Sequence, residues 1–289
     1  YKVKSSYRAY SRIHCSFTFP ETIPRPYPGD VTEDNSELME NLDTEQSLSS
    51  NEEVLEETLE KSKAEQAKLR IKEYEKAKNL ALRRLDREKL NYLEMDDEDK
   101  LLKYSPKYNI ILSRIGETNG TVFVYTEYKT LEGIAVLKIV LRANGYGEFK
   151  LKKENNEYLL DIEEEDRNKP KFAVWGGDVE MSDLIRKIYN NDLAELPSTL
   201  HREVLELAQS AQDDGNLHGN LIKVLMTTKT GAEGIDLHNV RQVHIIEPYW
   251  NPVRLQQVEG RAVRMNSHIN LPEDERNVDI YTYIAVAKA

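Results

Sequence analysis

The run Val224–Arg264, V-L-M-T-T-K-T-G-A-E-G-I-D-L-H-N-V-R-Q-V-H-I-I-E-P-Y-W-N-P-V-R-L-Q-Q-V-E-G-R-A-V-R, decides how the chain is read. Two short apolar stretches, Lys223–Thr227 at its start and Val243–Glu247 within it, each run into a loop that holds glycine or proline. Apolar runs of this length, bounded by turn residues, mark buried strands. The same texture extends outward. Thr121–Tyr125 (T-V-F-V-Y), Phe172–Trp175 and Val278–Ala285 predict three further strands. Helical patterns separate them over Thr130–Ala143, Ser182–Tyr189 and Thr199–Ala211. Alternation of this kind predicts an α/β fold, a parallel sheet sandwiched by helices. Two polar stretches, Lys150–Pro170 and Asn190–Asn220, read as surface excursions.

The first hundred residues are different. Residues 1–28 hold Pro20, Pro24, Pro26 and Pro28 and read as an extended connector. Between Pro28 and Gln66 there are 13 Asp/Glu against 2 Lys/Arg, a net of −11 that equals the formal charge of the whole chain. The acidity therefore belongs to one segment, and from Asp30 to Glu53 it favours disorder. From Glu56 to Glu94, Ala64, Ala67, Ile71, Tyr74, Ala81 and Leu85 recur at three- and four-residue steps amid charges. That predicts a long charged helix with a thin apolar stripe. Residues 29–100 read as an insertion, and the helix over 56–95 as a solvated arm or partner-docking element whose acidic approach speaks against nucleic acid. The layout expected is thus 1–28 connector, 29–100 insertion and 101–289 domain.

Several classes drop out. No apolar run reaches the 18 or more residues of a membrane span. One cysteine, Cys15, excludes an internal disulfide framework and fits a reducing compartment. His201, His218, His244 and His268 have no metal-ligand spacing, so no metal site is expected. The chain starts at Tyr1 without a signal-peptide pattern and stops at Ala289 just after a strand-like run, which suggests a piece of something longer that is not secreted.

Two clusters carry chemistry. In Thr227–Leu237 a strand ends in a loop with Gly231 and Gly234 followed by Asp236. Glycines there let backbone N–H groups approach a phosphate, and Asp236 suits a ribose hydroxyl; an ordinary turn reads the same way. In Gln257–Arg264, Arg261 and Arg264 are three apart, with Gln257 one turn back. Forked guanidiniums suit a phosphate whose charge grows in a transition state, although a solvated helix face has this pattern too.

Taken together, T-K-T-G-A-E-G-I-D-L, E-P-Y-W-N-P and Q-x-x-G-R-x-x-R resemble motifs V and VI of superfamily-two helicases. Trp250-Asn251-Pro252 is similar to the Swi/Snf-type branch. The longer run N-V-R-Q-V-H-I-I-E-P-Y-W-N, with Ser267-His268 and Leu271-Pro272, resembles helicases of nucleocytoplasmic large DNA viruses, including poxvirus early-transcription and termination ATPases. Tyr104–Tyr108 and Phe123–Tyr128 are similar to the start of the same family's second lobe and its motif IV. The resemblance covers about 101–289 and, loosely, Tyr10–Pro20.

What it implies is a RecA-like second lobe of an NTP-dependent helicase or translocase. Arg264 would be the arginine finger and Arg261 its partner at the γ-phosphate. Gly234, Asp236, Gln257 and Gly260 would face the nucleotide, and Thr126 and Thr228 the nucleic-acid backbone. The Swi/Snf pattern commonly has Asn where Asp236 stands, so the ribose contact follows the broader superfamily. No G-x-x-x-x-G-K-[ST] occurs, so ATP and Mg²⁺ are expected mainly on an N-terminal RecA-like lobe preceding Tyr1, and this piece alone is expected to be inactive. Asp96–Asp99 read as a solvated charge run, and Trp250 as packing. The expected partner is double-stranded DNA, with a transcription-machinery partner for 29–100, no membrane, and a cytoplasmic setting such as a viral factory or virion. Two alternatives stay open: a non-catalytic helicase-like scaffold and an RNA helicase lobe.

Overall fold

The computed structural model describes residues 14–27, 58–96, 98–210, 215–228, 234–248 and 252–286. Among the described residues, helices α1 (Thr58–Arg87), α2 (Lys89–Tyr92), α3 (Lys100–Tyr104) and α4 (Pro106–Glu117) lead to the strand β1 (Thr121–Tyr125). There follow α5 (Ile134–Ala143), β2 (Gly147–Glu148), the hairpin β3 (Leu151–Glu154) and β4 (Glu157–Leu160), and β5 (Lys171–Val174). The chain continues through α6 (Val179–Tyr189), α7 (Ser198–Ser210), β6 (Val224–Thr227), β7 (Val240–Ile245), α8 (Pro252–Ala262) and β8 (Asp279–Thr282).

Six strands form one parallel sheet in the order β2-β5-β6-β1-β7-β8. The expected α/β sandwich is present, because side chains alternate across each strand and both faces are apolar. Phe123, Tyr125, Leu225, Val243 and Ile245 face one core with α6, α7 and α8. Val122, Val124, Val224 and Met226 face the other with α4 and α5. Tyr125 pairs with Thr227 on one side and Ile245 on the other, so the carboxyl ends of β6, β1 and β7 lie together. That edge, where successive strands step to opposite sides of β1, is where open parallel sheets bind ligands.

Local sequence explains the helix starts. Ser105 caps α4 by accepting from Tyr108 N at 3.0 Å, with Pro106 in the first turn. Asp178 does the same for α6, accepting from Met181 N at 2.8 Å. Gly133 precedes α5 because a Cβ there would strike the Tyr128 carbonyl.

Several expectations need correction. The described part of the connector, residues 14–27, packs against the domain: Phe17 and Ile23 are 2% and 1% exposed, inside the core of α4 and α5. Residues 29–100 do not end at a break in packing, since Ala81, Leu85, Leu93 and Leu101 share that same core. The thin stripe was legible; its burial required a partner helix. Lys150–Pro170 contains the hairpin, whose Leu160 N donates to Glu203 on α7 at 2.7 Å. Its signal was Asn155-Asn156, both at positive φ as a tight hairpin turn demands. In Asn190–Asn220, α7 buries Leu200, Val204 and Leu207, and Asn216 is wholly buried, its amide bonding Tyr189 O, Ile222 O and two backbone N–H groups. Asp30–Glu53, Lys229–Glu233 and Trp250 lie outside the described residues.

Beneath α4, His244 is buried with Nδ1 2.7 Å from Tyr283 Oη and Nε2 3.1 Å from Gln242 Oε1. A neutral ring protonated on Nε2 satisfies both, while Arg114 Nη1 donates to the Tyr283 hydroxyl at 3.2 Å. Burial, helped by the Arg114 charge, pushes the imidazole down to about 3. The unfolded chain therefore binds a proton that the folded one refuses between about pH 6.5 and 3. Stability is expected to fall with acidification through that window, by up to about 1.4 kcal/mol per pH unit from this group. Urea midpoints from pH 7.5 to 5 should drop less in His244→Gln than in the unmodified protein. Parallel curves would show that His244 titrates normally.

Candidate nucleotide and nucleic-acid site

At the carboxyl edge of the sheet the chain leaves β6 at Thr228 and returns from Gly234 to His238 before β7. Gly234 has φ +92°, a left-handed value, and a Cβ there would meet open space. Asn190, at the end of α6 and 1% exposed, holds the returning segment: its Nδ2 donates to Asp236 O at 3.0 Å and its Oδ1 accepts from His238 N at 2.9 Å. From the other side Leu237 N donates to Arg261 O at 3.1 Å. Asp236 is thus sewn between α6 and α8 by its backbone neighbours, leaving its half-exposed carboxylate to project.

That carboxylate meets Arg264, whose Nη1 lies 3.0 Å from Asp236 Oδ1. Helix α8 ends at Ala262, so Arg264 stands beyond it and its Nε turns back to Gly260 O at 3.0 Å. The pair expected on one helical face is therefore split between the last helical turn and the residues after it. The anion that two neighbouring guanidiniums call for is supplied in part by the protein: Asp236 engages Arg264. Arg261 has no ion pair or side-chain hydrogen bond among the described residues. Gln257 is exposed, and Gly260 has open space where its side chain would be. Asp236, Arg261, Arg264 and Gly260 lie close together. Asp236 is not idle, as a ribose acceptor awaiting its ligand would be.

Thr126 and Thr228 are placed differently. Both are buried, and Thr126 Oγ1 donates to Glu247 Oε2 at 2.8 Å while accepting from Tyr128 N at 3.2 Å. In this arrangement the Thr126 hydroxyl is used inside the protein.

Glu247 is the residue that sequence reading passed over. It ends the β7 run, is 1% exposed, and also accepts from Ser16 Oγ at 3.0 Å and Glu127 N at 3.1 Å. Lys107 Nζ bonds Ser16 Oγ at 3.2 Å and Ile246 O at 2.9 Å beside it. Burial pushes the Glu247 carboxyl up, opposed by the Lys107 charge and the three donors. A second buried acid, Glu132, takes Arg25 through both guanidinium and carboxylate edges, and Tyr108 Oη donates to its carbonyl. Both carboxylates hold residues 14–27 against the strand ends. The signal available was a lone acid closing an apolar strand run, V-H-I-I-E.

Against known proteins, residues 193–266 match the helicase conserved C-terminal domain. A protein of Acanthamoeba polyphaga mimivirus named as an ATP-dependent RNA helicase, R350, is 31% identical over 311 residues, covering 98% of this chain and 34% of that one. A termination factor NPH-I homolog of African swine fever virus (Pretoriuskop isolate) is 36% identical over 187 residues, 63% of this chain and 26% of its own. Nucleoside triphosphatase I of Melanoplus sanguinipes entomopoxvirus is 27% identical over 195 residues, 66% of this chain and 23% of its own. The chain spans about a third or less of the length of these relatives. Among the described residues no helix is long and apolar enough to cross a membrane. With its parallel sheet, its matched domain and these relatives, the chain belongs to the helicase C-terminal-domain family, in the company of helicases and termination-factor homologs of large DNA viruses.

Proposed function

We propose that this chain is the second lobe of an ATP-driven helicase or translocase that tracks duplex DNA in viral transcription or genome handling. The observation that carries the reading is the meeting of Asp236 and Arg264 beside Arg261, which makes no ion pair among the described residues, at an edge where Gly234 and Gly260 leave room. These groups fit a nucleotide phosphate: two neighbouring guanidiniums, one of them on a half-exposed ion pair, and no Cβ in the way at Gly234 or Gly260. When bound with Mg²⁺, ATP supplies the phosphoryl group whose transfer to water drives motion. The lobe preceding this chain would hold most of it.

The residues here act by charge and position. A half-exposed ion pair is worth under about 1 kcal/mol, so a phosphate of higher charge can take Arg264 from Asp236 at little cost. Arg261 and Arg264 then stabilise charge that develops as the γ-phosphate leaves. Asn190 and the Arg261 carbonyl keep the Asp236 segment in place during the exchange. The freed Asp236 carboxylate becomes available to a ribose hydroxyl. Thr126 and Thr228 anchor the strand-end loops from within, and the loops themselves carry the grip on the backbone. An RNA substrate is the second reading, favoured by the RNA-helicase name of the mimivirus relative.

Steady-state ATPase of the full-length protein tests the finger. Arg264→Ala should lower kcat at least about 100-fold with little change in KM, and Arg264→Lys should rescue little because it lacks the planar fork. Near-normal kcat in a folded Arg264→Ala protein removes the role. Stimulation by duplex DNA, duplex RNA and single strands, compared at one salt concentration, decides the substrate.

Asp236→Asn separates its two roles without turnover. Releasing Arg264 should tighten a non-hydrolysable ATP analogue relative to ADP by roughly two- to five-fold, the range for an exposed ion pair. Equal weakening of both nucleotides would make the ribose its main contact instead.

A further inference from the structure

The charge balance of the chain conceals a basic element. Helix α1 carries 10 Lys/Arg against 5 Asp/Glu, directly after the acidic stretch that dominates the total. Averaging the two makes the whole region look acidic, which is why its sequence reads as a poor partner for nucleic acid.

The structure sorts those charges by face. At 100° per residue, Tyr74, Lys78, Ala81 and Leu85 fall within about 60° of arc, and all four are buried. Lys68, Lys72, Lys76, Arg83 and Arg87 fall within about 100° on the opposite side, and all five are exposed. None of the five makes an ion pair or hydrogen bond among the described residues. The neighbouring acids are mostly spoken for: Asp86 lies 3.3 Å from both Lys89 and Arg142, and Glu75 lies 2.8 Å from Lys78. The row is about 28 Å long, with steps of about 6 Å over most of it.

We infer that this outer face of α1 is a second nucleic-acid contact, one that binds the sugar–phosphate backbone. It lies on the α4–α5 side of the sheet, whereas α8 with its arginines packs on the other. Three features select phosphate over an acidic protein. The cations form a row and not a cluster, as a repeating backbone charge requires. Five like charges held on a rigid helix repel one another and gain by displacing counterions from a polyanion. The exposed apolar residues beside the row, Leu69 and Leu80, are about 16 Å apart along the axis, so the face lacks the apolar centre of a protein interface. The inference uses the nucleic-acid handling of the relatives but not the arginine finger.

The test is binding of the full-length protein, without nucleotide, to a fluorescent duplex DNA and a duplex RNA over a salt series. One variant changes Lys68, Lys72, Lys76, Arg83 and Arg87 to Gln, which keeps helix propensity. A second keeps the charge, with all three lysines changed to Arg. Circular dichroism and thermal melting check both for folding. The Gln variant should lose at least tenfold in affinity near 100 mM salt. Its slope of log K against log salt should be shallower by roughly 2–4.5, about 0.9 for each phosphate released, and the Arg variant should match the unmodified protein. An unchanged slope in a folded Gln variant overturns the inference. So does a loss matched by five Lys/Arg→Gln changes at Lys103, Lys150, Lys152, Lys153 and Arg202, since that would reflect net charge alone. Poly-glutamate binding that depends on the five residues while nucleic-acid binding does not would also overturn it, giving the face to an acidic protein. Because ATP turnover is not read, failure of the arginine-finger reading leaves this result unaffected.

Discussion

A charged carboxylate buried away from water is costly unless donors and a counter-charge surround it. Glu247 meets that condition through Ser16, Thr126, the Glu127 N–H and the nearby Lys107. They come from three other parts of the chain: residues 14–27, the loop directly after β1, which supplies both Thr126 and Glu127, and the first turn of α4. Satisfying one acid therefore joins four segments at the carboxyl edge of the sheet. Glu132 repeats the device nearby with Arg25. The strand ends beside the candidate site are held by this polar layer on one side and by apolar packing on the other.

The site inherits its geometry from that arrangement. Asp236 is not placed by its own side chain but by Asn190 and the Arg261 carbonyl, which grip the backbone on either flank. Its carboxylate is thereby held facing Arg264. The same separation of duties applies to Thr126, which sits where a backbone contact was expected and serves as an internal donor to Glu247. The residues that look functional in a motif are in part scaffold, and residues outside any motif set their positions.

The two faces of the sheet divide the labour. Helices α6, α7 and α8 cover the side that presents Arg261 and Arg264. Helices α4 and α5, with residues 14–27 and the second half of α1, cover the other. Packing α1 through Tyr74, Ala81 and Leu85 turns its remaining charges outward in one direction, which gives a weakly amphipathic helix a defined basic face.

Much of this was legible in the residues themselves. Apolar runs such as T-V-F-V-Y and V-L-M-T mark strands buried on both faces, because only side-chain periodicity and length are needed to recognise them. The motif spacing around Asp236, Arg261 and Arg264 likewise survives as proximity in space. The hairpin at Asn155-Asn156 was missed because its strands are charged, although its turn residues announced it. What no local pattern contains is which distant groups neutralise one another. The Arg264–Asp236 pair spans 28 residues, and Ser16 to Glu247 spans 231. Sequence determined the α/β class and the spacing that sets Asp236 near Arg261 and Arg264. Tertiary structure decided that Asp236 engages an arginine, that Thr126 is internal, and that α1 turns its cations outward, because burial and ion pairing depend on partners that only the folded chain brings within reach.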